Sequence, residues 1–235
     1  MKLSSIIILG IIFFDSAFAQ DGLKNSITIP NFTPNPGKNY PSTEWNTIVG
    51  VSKVNILSSD IKQSTMNNFI CDAMLEQTSA DFVCLNYGEI TTDLYHGEIT
   101  QLDLFAVCPF NRTLVVFRMN GDFLRKVVEG NIAGFRSGFA IAGGKIEYNI
   151  RRPSGNRLTY FQIGDHPLYL KKEYHVVTTD YLAGGNAGFE MLAGIDSSNV
   201  FRTGILLRDA IGNYIKEHTP LDPRSVSREE RWTKK

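Results

Sequence analysis

Three segments of the chain place an aromatic ring or a side-chain amide beside a turn rich in glycine or proline. Loops of this kind expose side chains from a rigid scaffold, and one ring on each of two loops can hold a flat ligand by offset stacking. From composition alone, the simpler interpretation is that Phe110 and Tyr181 are loop anchors packed on the core. The segments are Leu85–Ile90, which runs on into His96–Thr100, then Val107–Thr113 and Thr179–Phe189.

The residues that usually perform catalysis do not occur in catalytic patterns. The four histidines, His96, His166, His175 and His218, stand in no metal-binding spacing such as H-E-x-x-H. No cysteine pair has zinc spacing, and the aspartate and histidine clusters of a two-metal phosphatase are missing from the sequence. A G-x-S-x-G elbow and a P-loop are missing as well. We therefore expect no catalytic residue, no bound metal and no cofactor.

The first nineteen residues have the three-part pattern of a secretory signal peptide. Met1–Lys2 is positive, Ile6–Phe14 is almost wholly apolar, and Ala17–Ala19 is a small-x-small cleavage site. The apolar run is shorter than the roughly 20 residues that span a bilayer. The alternative is a buried N-terminal helix. We predict a signal peptide over residues 1–19 and a secreted, extracellular protein.

The charge balance argues against two classes of partner. Lys and Arg together number 24, as do Asp and Glu, so the formal charge is zero and no basic field for nucleic acid exists. The end of the chain, His218–Lys235, is polar and charged, unlike the apolar tail that directs a glycolipid anchor. We expect no nucleic-acid partner and no membrane anchor.

Three cysteines allow at most one intramolecular bridge in an oxidising compartment. We predict a Cys71–Cys84 disulfide, because the two are close in sequence, on a predicted helix and on the strand that follows. Two interpretations of Cys108 remain: a free buried thiol, or a cysteine that forms an intermolecular disulfide.

The composition also divides the chain into regions. Residues 20–46 are rich in Pro, Asn, Gly and Ser and predict an extended arm. The periodic segments span 47–219, and residues 220–235 predict a polar tail. Glycosylation sequons begin at Asn31 and at Asn111.

Hydrophobic periodicity in the 47–219 region predicts an α+β domain, a mixed sheet with flanking helices, because strands and helices mix without strict alternation. Ser64 or Thr65 is a suitable cap for the first helix, and Asn120 for the second. Helices are predicted over 64–77, after Asn120 and over 204–217, and strands over 48–54, 81–85, 114–117, 145–150, 158–163 and 175–179.

An ordered series of motifs resembles the C-terminal, nucleotide-recognition domain of the 5′-nucleotidase family, which includes insect salivary apyrases. The resemblance covers roughly residues 48–218. The family's patterns are N-x-G-N-L-I-C-D-A-M, N-G-G-G-I-R, G-x-I-T, P-F-G, G-x-R-V and Y-L-A-x-G-G-D-G-F. The similar segments are Met66–Met74, Asn86–Thr91, Gly97–Thr100, Ala106–Phe110, Gly155–Leu158, Tyr181–Phe189 and, further on, Thr203–Ala210.

The resemblance implies roles for four residues. In the family the domain clamps a nucleobase between two aromatic rings, which stand by position at Phe110 and Tyr181. An Asn at the position of Asn86 contacts the base. A basic residue before the first helix, matched by Lys62, faces the phosphate or sugar.

Departures from the family pattern weaken the expected contacts with nucleotide. Thr91 stands where the family has a phosphate-binding Arg, and Ala187 where an Asp holds the ribose hydroxyls. Hydrogen bonds to charged groups contribute about 1.5–3 kcal/mol each, so the two losses predict roughly two to four decades lower nucleotide affinity. Glu89, at a family glycine, adds negative charge. A nucleoside is less affected than a nucleotide.

In the family, two metal ions held by a preceding domain perform hydrolysis, and the predicted signal peptide leads almost directly into the recognition domain. The sequence thus predicts a secreted, non-catalytic nucleoside- or nucleotide-binding protein, with a salivary anti-haemostatic role by analogy. One alternative is an interaction module for an extracellular host protein, with a vestigial pocket. Another is residual 5′-nucleotidase or apyrase activity, alone or with a separate catalytic chain.

Overall fold

The computed structural model describes residues 42–133 and 139–235. The predicted signal peptide, residues 20–41 of the predicted arm and the Asn31 sequon lie outside the described residues. No helix in the described part of the chain is long and apolar enough to cross a bilayer.

The helices and strands alternate irregularly, as the sequence predicts for an α+β domain. The helices within the described ranges are α1 (Ser42–Trp45), α2 (Thr65–Thr78), α3 (Gln101–Val107), α4 (Gly121–Ala133), α5 (Asp180–Ala183), α6 (Glu190–Ala193) and α7 (Leu207–His218). The strands in the same ranges are β1 (Ile48–Ser52), β2 (Phe82–Leu85), β3 (Gly97–Thr100), β4 (Thr113–Asn120), β5 (Ala140–Ala142), β6 (Gly144–Tyr148), β7 (Leu158–Ile163), β8 (His166–Pro167), β9 (Glu173–Thr179), β10 (Val200–Leu206) and β11 (Trp232–Lys234).

A five-stranded mixed sheet with the order β10-β4-β9-β2-β5 forms the centre of the domain. Only the β2–β9 pair is parallel, and the other three pairs are antiparallel. A four-stranded sheet, β11-β6-β7-β8, and a two-stranded sheet, β1-β3, complete the architecture. The predicted mixed sheet with flanking helices is confirmed.

Both faces of the central strands of the five-stranded sheet are buried, and successive residues of each strand point to opposite faces. Val83 of β2 and Leu114 of β4 pack in a first core with α2, α3 and α7. Phe82 of β2 and Val115 of β4 pack in a second core with α4, β6 and β7. The central strands therefore form the middle layer of the domain, whereas the edge strand β10 is partly exposed.

The predicted helix over 204–217 begins three residues too early, since residues up to Leu206 belong to β10. Leu206 is paired with Thr113 of β4, and Gly204 has a φ of +74°, outside the helical range. Pairing with the neighbouring strand thus overrides the helical pattern, and α7 starts at Leu207.

The Cys71–Cys84 disulfide is not formed, and both residues are buried free thiols, as is Cys108. Cys71 lies in the first core and Cys84 in the second. The pleat of β2 directs the Cys84 side chain away from α2, which closeness in sequence does not reveal. Burial raises the pKa of the Cys108 thiol to about 12, so it is inert at neutral pH.

Residues 220–235, predicted as a polar tail, are part of the folded domain. Leu221 and Val226 are buried in the first core, and β11 adds to the second sheet in parallel with β6. The Asn68 side-chain amide of α2 donates hydrogen bonds to the carbonyls of Ser227 and Glu229, at 3.1 and 2.9 Å.

A buried cation anchors the same segment. Arg231 is only 6% exposed, and its guanidinium donates to both carboxylate oxygens of Asp72, at 2.7 and 2.8 Å. It also donates to the carbonyl oxygen of Ile141, at 2.8 Å. The charged C-terminal segment folds because its charge is paired within the protein.

We expect Arg231→Ala to lower the free energy of unfolding by about 3 kcal/mol, because it leaves the partly buried Asp72 carboxylate without its cation. Arg228→Ala is the matched control, since Arg228 is exposed in the same segment and its removal should change nothing measurable. Urea denaturation checks this. Equal midpoints for the two variants would contradict the anchoring role.

Candidate ligand-binding site

Three loops meet at one end of the five-stranded sheet. The first loop (residues 86–91) follows β2 and the third loop (residues 180–189) follows β9, and the parallel pairing of β2 and β9 brings their carboxyl ends together. The second loop (residues 108–112) precedes β4. Because β4 is antiparallel to β9, with Leu114 opposite Thr179, its start lies beside the end of β9. The three segments singled out in the sequence are therefore neighbours.

The first loop is fastened on both sides. Tyr87 lies in the short 3-10 turn Tyr87–Glu89 and is buried in the first core. The backbone amide of Thr91 donates to the carbonyl of Val107, at 3.0 Å, and the Thr91 hydroxyl donates to the carbonyl of Ala106. Thr91, at the position of the family Arg, thus ties the loop to the end of α3.

Arg208 at the start of α7 holds the second loop. Its guanidinium donates to the carbonyl of Cys108, at 2.8 Å, and to Oδ1 of Asn111, at 3.0 Å. The backbone amide of Leu207 donates to the carbonyl of Arg112, at 2.8 Å. The backbone carrying Phe110 is therefore braced from outside the loop.

The third loop is anchored by an apolar and a polar contact. Phe189 is buried in the second core and meets Phe139 edge to face, with centroids 5.2 Å apart. The Asn131 amide of α4 donates to the carbonyl of Gly188, at 3.2 Å. Between these anchors, Ala187 is exposed and has a φ of +53°, in the left-handed region that Asp and Asn tolerate better than Ala.

The two predicted clamp rings contact the same cation. The guanidinium carbon of Arg112 lies over the Phe110 ring, 5.1 Å from its centroid, and over the Tyr181 ring, 4.4 Å from its centroid. The two centroids are therefore no farther apart than the sum of these distances. Phe110 is 42% exposed, and Tyr181 is half-buried against the second core. We call this pair of rings the clamp.

A buried carboxylate holds the Arg112 side chain. Nε of Arg112 lies 3.1 Å from both carboxylate oxygens of Glu89, whose side chain is 2% exposed, whereas that of Arg112 is 27% exposed. Burial raises the pKa of Glu89, and the Arg112 cation and a hydrogen bond with the Asn86 side chain offset that rise in part. The nearby Asp180 carboxylate raises the pKa further.

Two buried oxygens beside this ion pair lack a partner. Oδ1 of Asn86 and Oδ1 of Asp180 are inaccessible to solvent and accept no hydrogen bond in the described part of the chain. The second oxygen of Asp180 accepts from the Thr113 hydroxyl, at 2.9 Å. Among the described residues, the site thus carries the carboxylates of Glu89 and Asp180, the Arg112 cation paired with Glu89, and two unused acceptors, an arrangement that favours hydrogen-bond donors over anions.

Three of the four predicted binding residues belong to this cluster: Phe110 and Tyr181 through Arg112, and Asn86 through Glu89. Lys62 is exposed in the loop before α2, and no contact joins it to the cluster within residues 42–133 and 139–235. Arg112 was not among the predicted site residues, although it stands two residues after Phe110 and the first loop carries an acid, Glu89.

The other candidate groups lie outside the three loops or at their surface. The Asn111 sequon is exposed on the second loop. Among the described residues, the one group with metal-ligand geometry is Glu76, Glu217 and His218, on α2 and α7. Nε2 of His218 is already within 2.9 Å of the Glu76 carboxylate.

The sequence from residue 48 to residue 194 matches the family described as 5′-nucleotidase, C-terminal domain. The chain belongs to this family. It is 28% identical over 171 residues to a 5′-nucleotidase-related protein of Glossina morsitans morsitans. This alignment covers 67% of the chain and 30% of that protein. It is also 27% identical over 204 residues to a snake venom 5′-nucleotidase of Gloydius brevicauda. That alignment covers 76% of the chain and 34% of that protein.

A solved relative has the same fold. A 5′-nucleotidase precursor from Thermus thermophilus superposes with a TM-score of 0.73 and 23% identity, over 82% of the chain and 40% of that protein. The chain thus spans about a third of the length of these curated 5′-nucleotidase relatives, and the family match lies in their C-terminal domain. The predicted family is confirmed.

The raised pKa of Glu89 predicts a pH-dependent stability. Because the folded state holds this proton more tightly than the unfolded state, Glu89 stabilises fully below the unfolded pKa, about 4.3, and this contribution is lost as the pH rises toward the folded pKa. We therefore expect the free energy of unfolding of the wild type, relative to Glu89→Gln, to fall as the pH rises above about 4.

Denaturation at a series of pH values measures that difference. Glu230→Gln, which changes an exposed glutamate, is the matched control and should give a flat difference. A difference for Glu89→Gln that grows with pH would show instead that the ion pair with Arg112 outweighs burial.

Proposed function

We propose that this chain is a secreted, non-catalytic protein that binds a nucleoside, or a nucleotide poor in phosphate, between Phe110 and Tyr181. The observation that carries the proposal is that both rings lie against one flat group, the Arg112 guanidinium. Two rings that both contact one planar group suit a planar ligand, since aromatic groups stack offset on the face of a ring.

The charges of the site favour a ligand with little or no phosphate. Glu89 and Asp180 place two carboxylates beside the clamp, and the Arg112 cation is already paired with Glu89. The hydroxyl of Thr91, at the position of the family Arg, is used by backbone carbonyls. The exposed Lys62 is a proposed contact for a sugar or a phosphate.

Base recognition is supported by the unused acceptors. Oδ1 of Asn86 and Oδ1 of Asp180 are buried without a donor, and a buried acceptor without a partner costs free energy that a ligand N–H or O–H recovers. An amino-substituted base or a ribose hydroxyl supplies such a donor, and because both oxygens are inaccessible to solvent, it reaches them only when neighbouring side chains move. We therefore take adenosine as the first ligand to test.

The proposed secretion and lack of catalysis rest on other observations. The N-terminal pattern is that of a signal peptide, and one relative is a venom protein by name. The family match lies in the C-terminal domain of the relatives, and the clamp loops contain no group of residues arranged to hold two metal ions, within the described residues.

One observation favours a second candidate, an interaction module for an extracellular protein with a vestigial pocket. Arg112 already lies over both clamp rings, so the rings are partly satisfied without a ligand. Under this alternative, ligand titrations give no signal and a partner is retained by Phe110→Ala and Tyr181→Ala variants.

Calorimetric titration with adenosine tests the proposal. We expect Phe110→Ala and Tyr181→Ala each to weaken binding about tenfold or more, because stacking on an aromatic ring contributes about 1–3 kcal/mol per base. Phe201→Ala and Tyr169→Ala, which remove other exposed rings, are the matched controls and should bind as the wild type does. Release of phosphate from AMP with Mg²⁺ or Zn²⁺ should stay at background. Wild-type protein that gives no heat at high micromolar adenosine would contradict the function.

Restoring the acid of the family at position 187 should strengthen binding of the ribose. Ala187 occupies the left-handed region, where an Asp is better tolerated, so we expect Ala187→Asp to fold normally. Its affinity for adenosine should rise by a factor of about 10, the equivalent of one charge-assisted hydrogen bond. Free adenine, which has no ribose, should bind both proteins equally. An equal gain for adenine would refute the assignment to ribose.

A further inference from the structure

The space that the two clamp rings share is taken by a side chain of the protein itself. The Arg112 guanidinium is planar, and it contacts the faces of Phe110 and Tyr181. A flat ligand that stacks on both rings needs the same volume. The bound base and this arrangement of Arg112 therefore exclude each other.

Three contacts favour the side chain over the vacant clamp. Arg112 gains attraction from two ring faces, and cation–π contacts strengthen where water is excluded. It also neutralises Glu89, which is 2% exposed. If Arg112 left without replacement, the Glu89 carboxylate would remain buried without its cation, which is strongly unfavourable.

Displacement of the side chain is nevertheless mechanically simple. The Arg112 backbone is fixed by the hydrogen bond from the Leu207 amide to its carbonyl, at 2.8 Å, so the loop need not move. Its side chain remains 27% exposed, which gives the guanidinium a route to solvent by rotation about its own bonds. The clamp can open by a rotamer change, a motion far faster than loop rearrangement.

We propose that Arg112 is a gate of the clamp, an internal ligand that Glu89 holds between the rings and that a nucleoside displaces in order to bind. This proposal rests on the proposed function. It accounts for the contacts that Arg112 makes with both the buried acid and the two rings. It also makes Arg112 a determinant of affinity and specificity. A ligand without hydrogen-bond donors for Glu89, Asn86 or Asp180 displaces the gate poorly.

The test compares adenosine affinity in variants that remove the gate. Arg112→Gln shortens the group and removes its charge, and Glu89→Gln/Arg112→Gln also removes the buried carboxylate, so that the fold is preserved if the single variant is unstable. The matched control is Arg118→Gln, on strand β4, which follows the second loop, with its side chain paired with Asn199 outside the site.

We expect calorimetry to show adenosine binding about tenfold or more tighter in the gate variants than in the wild type. A clamp that is open about a tenth of the time or less lowers the apparent affinity by that factor. The Arg118→Gln control should bind as the wild type does. Equal affinity in all these proteins would overturn the gate and leave the proposed function standing, whereas no binding by any of them would overturn both.

A second measurement observes the gate without ligand. In the wild type, the Arg112 Nε–H proton should show an NMR shift from the ring currents of the clamp and slowed exchange with water, since Nε donates to Glu89. Adenosine should abolish both signatures. A free, rapidly exchanging Arg112 Nε–H in the unliganded protein would overturn the gate whatever the affinities.

Discussion

Burial of the central strands of the five-stranded sheet on both faces is the constraint from which the rest of the structure follows. Each strand residue is committed to one core or the other by the pleat, as Val83 and Cys84 show by facing opposite cores. Most side chains of the central strands are therefore buried in one of the two cores. Functional side chains are left to the loops, and the parallel β2–β9 pair collects three of these loops at one end.

At that end the decisive interaction is the ion pair between Glu89 and Arg112. Burial makes the charged form of Glu89 costly, and the Arg112 cation offsets that cost in part. The same cation also lies against two aromatic rings. Electrostatics and stacking thus act on one side chain. The same 5′-nucleotidase fold consequently carries a site whose charge differs from that expected of a phosphate-binding pocket, in keeping with the rule that function depends on the site and not on the fold.

Local patterns predicted the elements that local physics controls. The helix predicted over 64–77 is α2 (Thr65–Thr78), with Ser64 accepting the capping hydrogen bond from the amide of Asn67. The strand predicted over 158–163 has the bounds of β7. Where partners distant in sequence compete, local patterns failed: pairing with β4 extended β10 to Leu206, and Arg231 brought the charged C-terminal segment into the fold through Asp72.

By itself, the sequence determined the family, the α+β class and the three loop segments, because motif order, hydrophobic period and turn residues are all local properties of the chain. Tertiary structure alone decided that the loops share one end of the sheet, that Cys71 and Cys84 face different cores, and that Arg112 occupies the clamp. Each of these depends on which side chains meet across the fold. Strand pairing and side-chain rotamers settle that question, and neither is encoded in the spacing of residues along the chain.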